Sequence, residues 1–279
     1  DDAAAAGTVH LEAQEGGGGR MNPILEFDKV TIRFGGLTAV SAVSLAVGPT
    51  ELAGLIGPNG AGKTTVFNLA TGVYQPTEGR IAFAGEPSAG LRPYELTRGG
   101  IARTFQNIRL FKSLSVVDNV RAAMQVHRTQ GIWNSLWRGG AFLRDEQVVE
   151  KQALELLSIF RLDVVRDEMA TSLSYGDQRR LEIVRALATK PKLLLLDEPA
   201  AGMNPTEKLE LARLIREIRD RFQIAVLLVE HDMQLVMDLC ERIHVLDHGT
   251  KIAEGTPAGV RRNPKVIEAY LGEEHALPE

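Results

Sequence analysis

Glycine, lysine and threonine stand at a spacing suited to phosphate in the run Gly57-Pro58-Asn59-Gly60-Ala61-Gly62-Lys63-Thr64. Glycines let consecutive backbone N–H groups turn into one concavity, a following helix adds the positive end of its dipole, and Lys63 brings a mobile charge to outer phosphates. The Thr64 hydroxyl suits a magnesium ion, and the loop from Gly57 to Thr65, Thr65 included, reads as the phosphate cradle. A second cluster closes the run Leu193-Leu194-Leu195-Leu196-Asp197-Glu198. Carboxylates at the end of a buried parallel strand face the crevice where such sheets take their ligands. Asp197 suits the metal shell, whereas Glu198 suits polarisation of a water for in-line attack on a terminal phosphate. The single cysteine, Cys240, has no clustered histidine or second cysteine, so it reads as a small core hydrophobe and no internal disulfide can form.

The elements that must position these groups follow from the apolar pattern. Short β-branched runs at Ile24–Phe27, Val30–Phe34, Val43–Val47 and Glu51–Ile56 are broken by glycine and proline and predict strands. The phosphate loop then opens a helix over about Gly62–Ala70, followed by strands near Arg80–Ala84 and Ile101–Phe105. Between about Ser115 and Ser172 the strand signal vanishes, and Val149, Ala153, Leu156 and Phe160 keep a helical period. Alternation then resumes, with helices at about Gly176–Thr189, Thr206–Arg221 and Met233–Leu239 and strands at Leu193–Leu196, Ile224–Val229 and Ile243–Leu246. The second of these helices sets Leu211, Leu214, Ile215, Ile218 and Phe222 on one face. Apolar strands separated by amphipathic helices predict a largely parallel sheet covered on both faces.

Composition narrows the function classes. The 279 residues carry 32 Lys plus Arg against 36 Asp plus Glu, a formal charge of −4 without the basic excess of a sequence-blind nucleic-acid binder, so nucleic acid is not an expected partner. No apolar run reaches the roughly 18 residues that cross a bilayer. Asp1–Arg20, with Ala3–Ala6 and Gly16–Gly19, lacks the apolar core of a signal peptide and reads as a disordered tail, either added ahead of a natural start at Met21 or a genuine flexible extension. In a chain poor in aromatics, Trp133, Leu136, Trp137 and Phe142 cluster; they either pack within the helical segment or anchor a membrane partner. Arg109 and Lys112 read as a solvated face.

Taken together, the Lys63 loop, Asp197-Glu198, Leu173-Ser174-Tyr175-Gly176-Asp177-Gln178, Gln106 and His231 resemble the ATPase subunit of an ATP-binding cassette transporter, from Ile24 to Gly255. The resemblance implies an α/β phosphate-loop nucleotide-binding domain with a largely parallel sheet, N-terminal antiparallel β strands and an inserted helical subdomain. The implied cofactors are ATP and Mg2+, with Thr64, Gln106 and Asp197 as metal ligands. Residues 173–178 match the family signature, in which Ser174 and Gly176 approach the γ-phosphate held by the opposite subunit. Gln106 matches the Q-loop glutamine, His231 the switch histidine beside the γ-phosphate, and Phe34 the aromatic that stacks on adenine. Glu198, His231 and Gln106 are the implied catalytic set.

Two departures mark this chain. Tyr175 and Asp177 alter the signature, and Asn204 in Gly202-Met203-Asn204-Pro205 replaces a common aspartate at the dimer interface. These variants, with Arg103-Thr104-Phe105-Gln106 and the ending Ala269-Tyr270-Leu271-Gly272, are similar to bacterial importer subunits for branched-chain amino acids; urea or amide importers and lipid-linked exporters look alike. The implied partners are membrane permeases, a second ATPase subunit, either a copy or a paralogue, and indirectly a solute-binding protein. The implied location is the cytoplasmic face of the plasma membrane. The expected division is a tail at 1–20, the nucleotide-binding core at 21–110 and 176–255, a helical subdomain at 111–175 and a C-terminal extension at 256–279.

Overall fold

The computed structural model describes residues 22–127 and 140–274. One sheet is antiparallel and holds β1 (Leu25–Phe34), β2 (Leu37–Val47), β4 (Glu78–Phe83) and β5 (Glu86–Pro87), in the order β2-β1-β4-β5. The other holds β3 (Leu52–Ile56), β6 (Ile101–Arg103), β7 (Leu193–Asp197), β8 (Ala225–Val229), β9 (Arg242–Asp247) and β10 (Thr250–Gly255). Its order is β10-β9-β3-β8-β7-β6, parallel throughout except where β10 pairs antiparallel with β9.

The central strands are apolar on both faces because both faces are covered. Leu193, Leu195, Ala225, Leu227 and Val229 point into a core shared with the antiparallel sheet and helix α1 (Lys63–Ala70), which contributes Val66, Phe67, Leu69 and Ala70. Their alternating neighbours Leu194, Leu196, Val226 and Leu228 enter a second core built with helices. Period-two alternation thus divides one apolar run between two cores. The helices of the second core are α3 (Val116–Met124), α4 (Gly140–Ile159), α5 (Tyr175–Ala188), α6 (Pro205–Phe222) and α7 (Met233–Leu239), while α2 (Pro93–Gly99) leads into β6. Two further helices, α8 (Pro257–Arg261) and α9 (Pro264–Glu274), follow β10 and add Val260 and Val266 to the second core.

Several expected boundaries shift. Ile24–Phe27 and Val30–Phe34 are one strand, bent where the register slips between Phe27 and Val30 and Lys29 takes φ 49°. A bulge there preserves pairing on both sides of a polar Asp28-Lys29 step. β2 starts six residues before the expected Val43, at Leu37, and β6 stops at Arg103 rather than Phe105. β10 was not expected. It returns through His248-Gly249, both at positive φ, a two-residue hairpin without the usual Asn-Gly or Asp-Gly pair. Residues 1–21 and the segment with Trp133, Leu136 and Trp137 lie outside the described residues, as does the Phe142 side chain. Among the described residues no helix is long and apolar enough to cross a membrane.

Candidate functional site

Four neighbouring parallel strands, β3, β8, β7 and β6, end on the same edge of the sheet, and each hands over a candidate residue there. Gly57 follows β3, Glu230-His231 follow β8, Asp197-Glu198 close β7, and Thr104 to Gln106 follow β6. Shared strand direction is what assembles residues that are up to 174 positions apart in the chain (231 minus 57).

The loop after β3 is dictated by glycine. Gly57 has φ 150°, and a Cβ there would stand 2.0 Å from the Leu246 carbonyl oxygen. Gly62, at φ 99°, is the residue before the first turn of α1 and offers no side-chain cap to its N–H groups. A helix start of this kind suits an anion. Lys63 is 6% exposed, and its ammonium donates to the carbonyls of Gly57 at 2.6 Å and Pro58 at 2.8 Å, which holds the charge over the loop. Phe34 sits 43% exposed at the end of β1, with its ring edge-on to Tyr74 at a centroid distance of 5.0 Å.

Glu198 is the hub of the carboxylate end. Its Oε2 accepts from Gln106 Nε2 at 2.9 Å and its Oε1 lies 2.8 Å from His231 Nε2. The backbone at Glu198 is left-handed, φ 47°, and its N–H donates to Val229 O at 2.9 Å, so the carboxylate is aimed by an uncommon conformation that its neighbours enforce. Asp197 is turned elsewhere. Its Oδ2 accepts from Arg103 Nη2 at 2.8 Å, both side chains are 7% exposed, and the other guanidinium nitrogen, Nη1, donates to Asn68 Oδ1 of α1 at 2.7 Å. Thr64, Asp197 and the Gln106 amide supply hard oxygen donors. Among the described residues no group of three or more His, Cys, Asp or Glu could cage a metal. That donor set fits Mg2+, which is commonly held through one or two carboxylates together with substrate phosphates.

The signature segment starts α5. Ser174 Oγ accepts from the Asp177 N–H at 3.2 Å and donates to Asp177 Oδ2 at 2.8 Å. Asp177, one of the departures from the family signature, therefore completes a helix cap. Tyr175 is 49% exposed, and its ring lies against Gly202 of the Asn204 turn. Asn204 itself caps α6, accepting the Glu207 N–H at 3.0 Å, a task an amide oxygen performs as well as a carboxylate.

Three residues to which the motifs assign no chemical role prove central to the geometry. Arg103 pairs with Asp197, and Arg179, wholly buried, reaches the Gln106 and Glu198 backbones. Glu230, 4% exposed, accepts from the Ala200 N–H at 2.7 Å and the His231 N–H at 3.2 Å. Burial pushes its carboxyl above the ordinary glutamate value, against those donations. Arg109 is exposed, as a solvated face requires, and its guanidinium also covers the Phe105 ring at 4.0 Å. Cys240 is buried beside Gly54, and desolvation pushes its thiol up to about 12, in keeping with a packing role.

Comparison with known proteins places this arrangement. The family model described as "ABC transporter" matches residues 40–201, and that described as "Branched-chain amino acid ATP-binding cassette transporter" matches residues 250–276. The chain is 47% identical over 251 residues to the high-affinity branched-chain amino acid transport ATP-binding protein BraF of Pseudomonas aeruginosa, covering 90% of this chain and 98% of that one. A nucleotide-free ATP-binding cassette from an ABC transporter superposes with a TM-score of 0.76 at 32% identity, covering 89% of this chain and 98% of the other. The dimeric structure of a bacterial ABC transporter cassette superposes with a TM-score of 0.70 at 25% identity, covering 84% of this chain and 98% of the other.

Proposed function

Because the chain belongs to the ABC transporter family, we propose that it is the ATPase subunit that powers import of branched-chain amino acids through separate membrane permeases. The observation that carries the catalytic part is Glu198 held between Gln106 and His231 at the edge where the phosphate loop also ends. The cargo rests on BraF and on the family model matched at residues 250–276.

In this reading the N–H groups of the Gly57–Thr65 turn and the Lys63 ammonium bind the phosphates, Lys63 exchanging its two carbonyl acceptors for phosphate oxygens. The exposed Phe34 face receives the adenine. Thr64, Asp197 and Gln106 would hold Mg2+, which neutralises charge on the phosphates when bound. The Glu198 carboxylate accepts the proton of the attacking water, while His231 and Gln106 fix the orientation of its two oxygens. Ser174 and Gly176 lie at the start of α5, and Ser174 and Tyr175 are exposed. This supports a composite site in which they serve the nucleotide of a second ATPase subunit, a copy or a paralogue. The division into core (21–110, 176–255), helical subdomain (111–175) and C-terminal extension (256–279) belongs to the same proposal, as does a peripheral position on the cytoplasmic side of the membrane.

The test is Glu198→Gln, which keeps shape and removes the proton acceptor. Hydrolysis is expected to fall by roughly 10² or more with ATP still bound, and energised uptake of labelled leucine, isoleucine or valine in the native host is expected to fall with it. Near-normal turnover refutes the base; lost turnover with unaltered uptake of all three amino acids refutes the cargo.

A further inference from the structure

The loop that carries Gln106 is held by its backbone, and the holding groups all come from the signature helix. Arg179 lies little more than one turn beyond Ser174, and its side chain has no exposed surface. Its guanidinium donates to the carbonyl oxygens of Phe105, of Gln106 at 2.5 Å and of Glu198 at 3.4 Å, and to Glu182 Oε2 at 2.9 Å. The other Glu182 oxygen accepts the N–H groups of Phe105 at 3.4 Å and Arg109 at 3.2 Å. One turn on, Arg185 donates to the Arg109 carbonyl. Residues 105–109 are thus gripped through both donors and acceptors by three side chains of α5.

The Nε of this guanidinium is buried without a partner, so the pairing that repays its burial is carried by Nη1 and Nη2 alone, and each of these carbonyls is tied to the position of Arg179. Two of the acceptors belong to Gln106 and Glu198, whose side chains meet at 2.9 Å. We infer that Arg179, braced by Glu182, is a positioning residue for hydrolysis: it sets the Gln106–Glu198 geometry through their backbone carbonyls and makes the Gln106 loop travel with the signature helix. The planar fork is essential, because one ammonium cannot direct parallel donors at adjacent carbonyls of a loop and also at a carboxylate. A second subunit engaging Ser174 and Gly176 therefore reports directly to the water-activating carboxylate of the chain that offers them. The inference rests on the reading of Glu198 as the base.

The experiment measures kcat, KM, ATP affinity and amide hydrogen exchange for Arg179→Met, Arg179→Lys and Glu182→Gln beside Glu198→Gln. For Arg179→Met, kcat is expected to drop roughly 10²-fold, the cost of a small misplacement of reacting groups. ATP affinity should stay within about threefold of the parent, since no phosphate ligand is touched. Exchange should rise in residues 105–109 while Leu52–Ile56 and Leu193–Asp197 stay protected. Arg179→Lys should not restore kcat. Glu182→Gln, which keeps size and loses charge, should fall between parent and Arg179→Met, and it decides the matter should Arg179→Met not fold. Faster local exchange with unchanged kcat overturns the inference. So does a kcat loss accompanied by equal deprotection of the central strands, which marks a merely structural residue. If Glu198→Gln turns over normally, the base assignment is what fails, and unchanged exchange at 105–109 in the α5 variants then overturns the clamp independently.

Discussion

Arg103→Met should destabilise the protein far more than loss of a surface ion pair, and the geometry sets the size. Arg103 and Asp197 lie 2.8 Å apart with both side chains 7% exposed. At that separation and an effective dielectric of about 20 the gross attraction is about 6 kcal/mol, most of which repays the desolvation of the two charges. The net worth of the pair is therefore small, but breaking it is not symmetrical with never having built it. Methionine fills much of the volume between the Phe67 and Phe105 rings, yet leaves Asp197 buried with its charge uncompensated and Asn68 Oδ1 without its 2.7 Å donor. The expected cost is about 3–5 kcal/mol. For a chain of this size, at about 2–4 °C per kcal/mol, that is a fall in Tm of about 6–20 °C. Circular-dichroism melts of nucleotide-free protein measure it. Arg103→Met combined with Asp197→Asn should melt well above Arg103→Met alone, because the amide removes the stranded charge. A single variant within about 2 °C of the parent, with strictly additive effects in the double variant, refutes the buried-pair account.

Lys63→Ala should weaken ATP binding about 10- to 150-fold, the worth of one charge-assisted hydrogen bond, in equilibrium titration of protein that remains folded. Cys240, with its thiol near 12, should carry a thiolate fraction of about 10⁻⁴ at pH 8 and be alkylated only as fast as the chain opens; reaction at the rate of free cysteine contradicts its burial. Glu254 is held well below the ordinary glutamate value of 4.5, first by the buried His244 ring, whose Nδ1 lies 3.6 Å from its Oε2, and then by Lys251 and Arg242, which donate to it. Its folded value is depressed, so its contribution is complete above 4.5 and is lost as pH falls below it towards the folded value. Acid titration of stability should accordingly flatten in Glu254→Gln over that range, and an unchanged profile contradicts the assignment.

The features legible in the amino-acid sequence are local ones. The phosphate loop is eight consecutive residues between a strand and a helix, and the apolar run at Leu193–Leu196 declares a strand buried on both faces through its own composition. The positions of β10 and of the bulge in β1 were not legible, because His248-Gly249 and Asp28-Lys29 carry weak turn chemistry whose outcome depends on the strands beside them. The same limit applies with more consequence at the site. Arg103 and Arg179 are ordinary members of their segments by type and spacing. What distinguishes them is what lies opposite: Asp197, 94 positions from Arg103, and the backbone of Gln106, 73 positions from Arg179. Parallel-sheet topology creates those neighbours by ending four strands on one edge. A basic residue with no visible partner in such a chain is thus a reason to ask which strand ends it meets. In this protein one arginine neutralises the carboxylate read as a metal ligand, while the other gathers the backbone behind the carboxylate read as the base.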